Sequence, residues 1–298
     1  MLSRTWKIRV SLFFILFLVA AWTFISFVTD VFIKRPVSAR SQATVPPAMG
    51  QTKVKNPHGD DIVFWWYQGK PDAGAVLLCH GHGVNHRNMD EMVTWLVGKG
   101  LTLLLLDFRA HGESGGTISS LGLNEWEDID AVLKESEKRG WLPPAMPLAA
   151  FGRSMGAASL INGSAKLPRI RAFVIESMFA KLRSIAENDF RKMLGFSCSP
   201  LIDMVVLNAT FRTGIRYEDC QPVENIRGIA SRPLLIIHDD QDDRADTSQF
   251  ESLCRAVPNA RTLVIKGAGH VRGLATNPKL FQQVFLDFLA SSGVPIHP

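Results

Sequence analysis

Tyrosine is nearly missing from this chain of 298 residues, with two against 18 phenylalanines and seven tryptophans. Aromatic mass so poor in hydroxyls belongs in a core or against lipid. Cysteine is also scarce. Cys79, Cys198, Cys220 and Cys254 make neither a Cys-x-x-Cys pair nor a zinc-ligand spacing, which leaves thioredoxin-like redox chemistry and zinc-finger folding without support. A bridge between Cys198 and Cys220 stays open for an oxidising compartment. No internal repeat is present. A basic surface is missing too, although the net charge is +5 and the pI near 9.1. Arg4, Lys7, Arg9, Lys34, Arg35 and Arg40 face the single acid Asp30 in the first 50 residues, so the remainder is formally neutral. Nucleic-acid binding, which needs bases clustered on the folded domain, is thereby disfavoured.

The last absence is of charge between Val10 and Val28, where the chain reads VSLFFILFLVAAWTFISFV. That length suits a helix crossing a bilayer core. The rival is a signal peptide cleaved after Val19-Ala20-Ala21, but Trp22 to Val28 remains apolar beyond that point. The expected organisation is a basic tail over 1–9, a single-pass anchor over 10–28, a linker over 29–50 stiffened by Pro46-Pro47, and one folded domain over 51–298. Three bases precede the apolar run and three follow it, so the positive-inside rule nearly ties; a retained N-terminus would put the domain on the non-cytoplasmic side.

Within the domain, 52–55 and 62–67 read as a hairpin across Pro57-His58-Gly59-Asp60. Continuous apolar runs follow at 75–78, 102–106, 147–151, 172–175, 233–237 and 262–265, the pattern of parallel strands buried on both faces. Helical patterns alternate with them at 88–97, 124–138, 154–165, 247–257 and 278–290. The predicted fold is α/β, a mostly parallel sheet with helices on both faces. The interval 177–231 is too long for a simple connection and holds helical stretches at 181–194 and 200–211, so it reads as a cap.

Chemistry concentrates in the loops after these strands. Gly152-Arg153-Ser154-Met155-Gly156 follows the apolar run Pro147-Leu148-Ala149-Ala150-Phe151 and precedes a small-residue helix start, the setting of a nucleophile elbow. Glycines are needed there because strand and helix approach too closely for side chains. Leu77-Leu78-Cys79-His80-Gly81-His82-Gly83 ends another strand in a glycine-bracketed turn, which would lend an oxyanion-hole amide. A third strand runs into Asp239-Asp240-Gln241-Asp242-Asp243, and a fourth leads through Gly267-Ala268-Gly269 to His270. Nucleophile, acid and base thus occur in the chain order Ser, Asp, His.

Taken with Asp107-Phe108-Arg109-Ala110-His111-Gly112-Glu113-Ser114, these motifs resemble the α/β-hydrolase superfamily, from about Gln51 to the C-terminus. Within it the chain looks most like the membrane-anchored Bem46-like group, which borders the serine aminopeptidases. The resemblance implies Ser154 as nucleophile, His270 as general base and Asp242 as its orienting acid, with the N–H groups of His82 and Met155 as oxyanion donors and no metal or organic cofactor. Two departures stand out: Ala157 replaces a second glycine after the elbow, and Asp239 replaces the glycine usual in the acid loop. Glu176, at the end of its strand, is an alternative acid. Asp107 reads as a turn anchor, Arg153 as a salt-bridge partner or an anion-steering group, and His80 and His111 as loop histidines rather than members of a metal cluster with His82 and His86. The implied activity is acyl-bond hydrolysis, on a carboxylic ester or related acyl substrate; a peptidase acting on a short peptide is the alternative. A non-catalytic tethered interaction protein is the reading from another class. Oligomeric state is left open.

Overall fold

The computed structural model describes residues 4–34, 46–229 and 231–297. The first three residues of the expected tail and positions 35–45 of the expected linker lie outside them. The eight strands are β1 (Gly50–Lys55), β2 (Asp61–Tyr67), β3 (Ala75–Cys79), β4 (Thr102–Leu106), β5 (Leu148–Arg153), β6 (Ala172–Glu176), β7 (Leu234–Asp239) and β8 (Arg261–Ile265). They form one sheet in the order β1-β2-β4-β3-β5-β6-β7-β8. β1 and β2 are the expected hairpin; β2 also runs antiparallel to β4, and every later pairing is parallel. This is the α/β-hydrolase fold.

The helices are α1 (Arg4–Ile33), α2 (Asp90–Val97), α3 (Trp126–Lys138), α4 (Met155–Asn162), α5 (Leu182–Leu194), α6 (Ser199–Thr213), the short α7 (Pro222–Asn225), α8 (Thr247–Ala256), the short α9 (Gly273–Thr276) and α10 (Pro278–Ser291). Strand side chains alternate between two cores. Ala75, Leu77 and Cys79 of β3 join Ile129, Val132, Ala158 and Leu253 beneath α3, α4 and α8. Val76 and Leu78 join Met92, Leu96, Phe281 and Phe285 beneath α2 and α10. Each fully buried side chain of this size contributes about 1.5–3 kcal/mol. β3 to β7 are buried along their lengths, as continuous apolar runs require. β8 departs from that expectation: as the edge strand it buries only Leu263 and Ile265.

The 177–231 interval folds as α5, α6 and α7, the helical cap region. The N-terminal helix runs on through Ile33, so residues 29–33, expected in a linker, are helical. The reason is packing. Ile25, Val28, Thr29 and Ile33 recur at helical spacing and are buried, the first two against Ile202, Val205 and Phe190 of the cap. Among the described residues the four thiols are free, so the Cys198–Cys220 bridge is not made; Cys220 is buried beside Asn162 and the Leu121 carbonyl.

Buried charge ties the loop after β4 to α3. The Arg109 guanidinium contacts both Asp128 oxygens and Glu127, while Asp128 also accepts from the Arg109 amide and Asn56 Nδ2. Asp128→Ala removes the bidentate partner of a buried guanidinium and leaves it only Glu127, so it should cost about 3 kcal/mol, read as a lower midpoint in chemical denaturation. An unchanged midpoint would contradict the role given to this pair.

Candidate active site

The elbow forms because two positions lack side chains. A Cβ on Gly152 would lie 2.6 Å from the Ala157 nitrogen, so strand β5 and helix α4 meet with no room between them. A Cβ on Gly156 would lie 2.3 Å from the Cys79 carbonyl oxygen and 2.5 Å from that of His80. The second glycine therefore serves the neighbouring strand β3 rather than its own. Between them Ser154 takes φ 49° and ψ −114°, a conformation that costs a non-glycine residue about 1–3 kcal/mol. It is held by its own N–H donating to the Glu176 carbonyl at 2.9 Å and by its carbonyl accepting from Ala158 at 3.0 Å.

Three strand ends converge on this serine. His270 Nε2 lies 3.1 Å from Ser154 Oγ, and its Nδ1 lies 2.7 Å from Asp242 Oδ2. A carboxylate only accepts, so Nδ1–H donates to Asp242 and Nε2 is left to accept from the serine hydroxyl. Asp242 Oδ1 accepts from the amides of Arg244 and Ala245, both at 2.9 Å. Burial pushes the Asp242 carboxyl up, but the bond from His270, its charge and the two amides outweigh burial and hold the group below the usual carboxylate range. It stays ionised.

Glu176, the alternative acid, points elsewhere: its Oε2 lies 2.7 Å from Arg153 Nε, and its Oε1 accepts from the Gly273 amide. Arg153 is accordingly a buried salt-bridge partner, with Nη1 on the Asn88 carbonyl. Asp107 anchors its turn by accepting from the amides of His86 and Glu113.

The N–H groups of His82 and Met155 have no hydrogen-bond partner among the described residues, and Met155 opens α4, where the helix dipole favours negative charge. Behind them stand two neutral imidazoles. His80 donates from Nδ1 to the Gly81 carbonyl and accepts the Phe108 amide at Nε2; His111 does the same with the Arg109 carbonyl and the Gly83 amide. Each lone pair is thus committed to the main chain. Burial, reinforced by His111, pushes His80 down to about 3, and the same two causes bring His82 to about 3.

Two features here escaped the sequence reading. Glu125, fully buried, accepts from the Ser119 and Ser120 hydroxyls and the Ser120 and Gly122 amides, shaping the loop beside Met155. Asp239 is buried under the His270 loop, where Oδ2 accepts from Ser177 Oγ and the Arg272 amide. The Ser177 hydroxyl in turn accepts from the Val271 amide. Burial and the nearby Glu176 charge raise Asp239 to about 7. An acid in the place of the usual glycine was the signal available; its burial was not.

Comparison with known proteins agrees with this fold. Residues 70–214 match the family described as Serine aminopeptidase, S33. The chain is 24% identical over 243 residues to YqkD of Bacillus subtilis, covering 79% of this chain and 77% of that protein. It is 25% identical to YfhR of Escherichia coli, covering 75% and 73%. The esterase PF2001 of Pyrococcus furiosus superposes with a TM-score of 0.67 at 20% identity, over 87% of this chain and 98% of that one. A thioesterase domain from the curacin biosynthetic pathway gives 0.57 at 16% identity, over 80% and 100%.

Gly156→Ala should drive its methyl into two backbone carbonyls, lower the melting temperature sharply and abolish reactivity at Ser154; a stable, reactive variant would remove the steric account of the elbow. Asp239 gives a second expectation. Its folded pKa, near 7, lies above the unfolded 3.8, so its contribution is complete below about pH 4 and is lost as pH rises through 7. Asp239→Asn keeps an acceptor and removes the charge. Melting curves from pH 5 to 8 should show the wild type losing stability relative to the variant, and parallel profiles would refute the assignment.

Proposed function

We propose that this protein is a membrane-anchored serine hydrolase, close to the Bem46-like group, that cleaves an acyl bond through an acyl-enzyme. The observation that carries the reading is the continuous chain from Ser154 Oγ through His270 to Asp242. Ser154 Oγ attacks the acyl carbon while its proton passes to His270 Nε2. Asp242 holds the imidazole in the required tautomer and stabilises its positive form. The His82 and Met155 amides receive the oxyanion, usually the largest single contribution. His270 then returns the proton to the leaving group, and water, deprotonated by the same imidazole, releases the acid. These steps use no metal or organic cofactor.

A carboxylic ester or related acyl substrate is favoured. A cavity of about 260 Å³ lies between the end of α1 and the cap, walled by Phe32, Ile33, Leu121, Ile185, Phe190 and Val206. Such walls suit an acyl chain, although none of Ser154, Asp242, His270, His82 and Met155 is among them. The peptidase reading draws on the match to the serine aminopeptidases over residues 70–214. A free amine would need an unpaired carboxylate: Glu187 and Asp203 of the cap pair with Arg183 and Asp189 pairs with Arg244, which leaves Glu218 at the cavity wall as the group such a substrate would meet. In this proposal α1 anchors the protein, through residues 10–28 within a single-pass helix, and the domain from Gln51 onward faces the non-cytoplasmic side. The apolar length of α1, from Thr5 to Ile33, supports the anchor.

Ser154→Ala should remain folded, lose all covalent labelling by a fluorophosphonate, and lose at least about 10⁴-fold in turnover. Labelling undiminished in the variant would refute the nucleophile, and wild type that is never labelled would favour the interaction-protein reading. Asp242→Asn should cost about 10³–10⁴-fold, with Asp240→Asn and Asp243→Asn near wild type. If Glu176→Gln proved the damaging change while Asp242→Asn did not, the acid would be wrong. Ester and aminoacyl substrate panels then separate esterase from peptidase.

A further inference from the structure

We propose that the cap helix α6 is immersed in the surface layer of the bilayer, with Met204, Leu207 and Phe211 facing lipid. The inference rests on reading α1 as the anchor. On α6, Asp203 is tied to Arg183 and Arg212 to Asp30 of α1. Ile202, Val205 and Ala209 are buried toward α1 and the cap. That leaves Met204, Leu207 and Phe211, spaced as one helical stripe, 49%, 69% and 83% exposed. Large apolar side chains this bare on a helix mark a surface that another phase covers.

The occupant follows from continuity with α1. The stripe lines one groove with Trp22 and Ile25, whose surface is almost wholly apolar. On the other faces of α1, Phe24, Phe27 and Val31 are exposed at this same end, so the apolar surface passes from one helix to the other. Length then decides the depth. A bilayer core of about 30 Å needs roughly 20 helical residues, which counted from Val10 reach Thr29. From Val10 to Trp22 the helix rises only about 20 Å, so a membrane that α1 spans cannot end before the groove. The polar groups agree with a place at the boundary and not at the centre. Asp30 pairs with both Lys34 and Arg212, and Asn208 Nδ2, buried in the groove wall, has no partner among the described residues. A donor in that position suits an interfacial water or a lipid ester carbonyl.

The test uses the full chain in phosphatidylcholine vesicles containing a fraction of phosphatidylglycerol. Leu207→Cys, Phe211→Cys and, on the far end of α3, the 81% exposed Lys138→Cys each carry an environment-sensitive nitrobenzoxadiazole label, in a Cys198→Ser/Cys254→Ser background. Lipids brominated along the acyl chain should quench positions 207 and 211 at least fivefold more than position 138. Equal, weak quenching at all three in protein that resists carbonate extraction overturns the immersion of α6 and leaves the anchor standing. Protein extracted by carbonate overturns both. Disulfide-linked dimers formed by unlabelled Leu207→Cys under a mild oxidant, together with unquenched label at 207, would mean that a second copy covers this face, and also overturn the proposal.

Discussion

Everything at this site hangs on the absence of atoms at Gly152 and Gly156. With no Cβ to keep them apart, β5, α4 and the end of β3 close to backbone contact, and the chain can turn only by forcing Ser154 to a positive φ. That conformation is unfavourable alone and persists because the surroundings over-determine it: the sheet fixes Gly152, the helix fixes Ala158, and Glu176 receives the serine amide. The same closure puts the first amide of α4 next to the serine and brings the Gly81 turn into contact with it. Hydroxyl position and amide position are consequences of one steric fact.

Around this rigid turn the charges are sorted by what accepts and what donates. Asp242 stays ionised because two amides and an imidazole face it, while Asp239, three residues earlier, is raised by burial and by Glu176. Two carboxyls of one loop thus have opposite tendencies, set by their partners. His270 therefore works against one anion, held at a fixed distance. His80 and His111 tie the turn from Gly81 to Gly83 to the chain that follows β4.

Much of this was legible in the sequence for identifiable reasons. Buried parallel strands betray themselves as unbroken apolar runs, and Leu103–Leu106 or Leu235–Ile237 admit little else. Ser154 and His270 sit in turns whose glycines are themselves signals, and Asp242 lies in an acidic cluster at a strand end. What could not be seen depends on partners distant in sequence. That Glu176 is taken by Arg153 was one such case. Gly156 spares room for β3, a neighbour in space only. The edge position of β8 left Thr262 and Val264 exposed, which the run Thr-Leu-Val-Ile does not reveal. The continuation of α1 to Ile33 was hidden because its buried stripe matches a helix in the cap, far down the chain.

That last contact also orders events during synthesis. Thr29 Oγ1 bonds back to the Ile25 carbonyl and meets the Val205 carbonyl, 176 residues away. A chain made at about 5–20 residues per second therefore carries Ile25, Val28 and Ile33 uncovered for roughly ten seconds or more before α6 emerges. Lipid or a chaperone must shield them meanwhile. Because α6 lies between β6 and β7 in the chain, a chain arrested there would hold α1 and its cap partner with six of the eight strands. Helix α1 is therefore made long before the partner that covers its buried stripe.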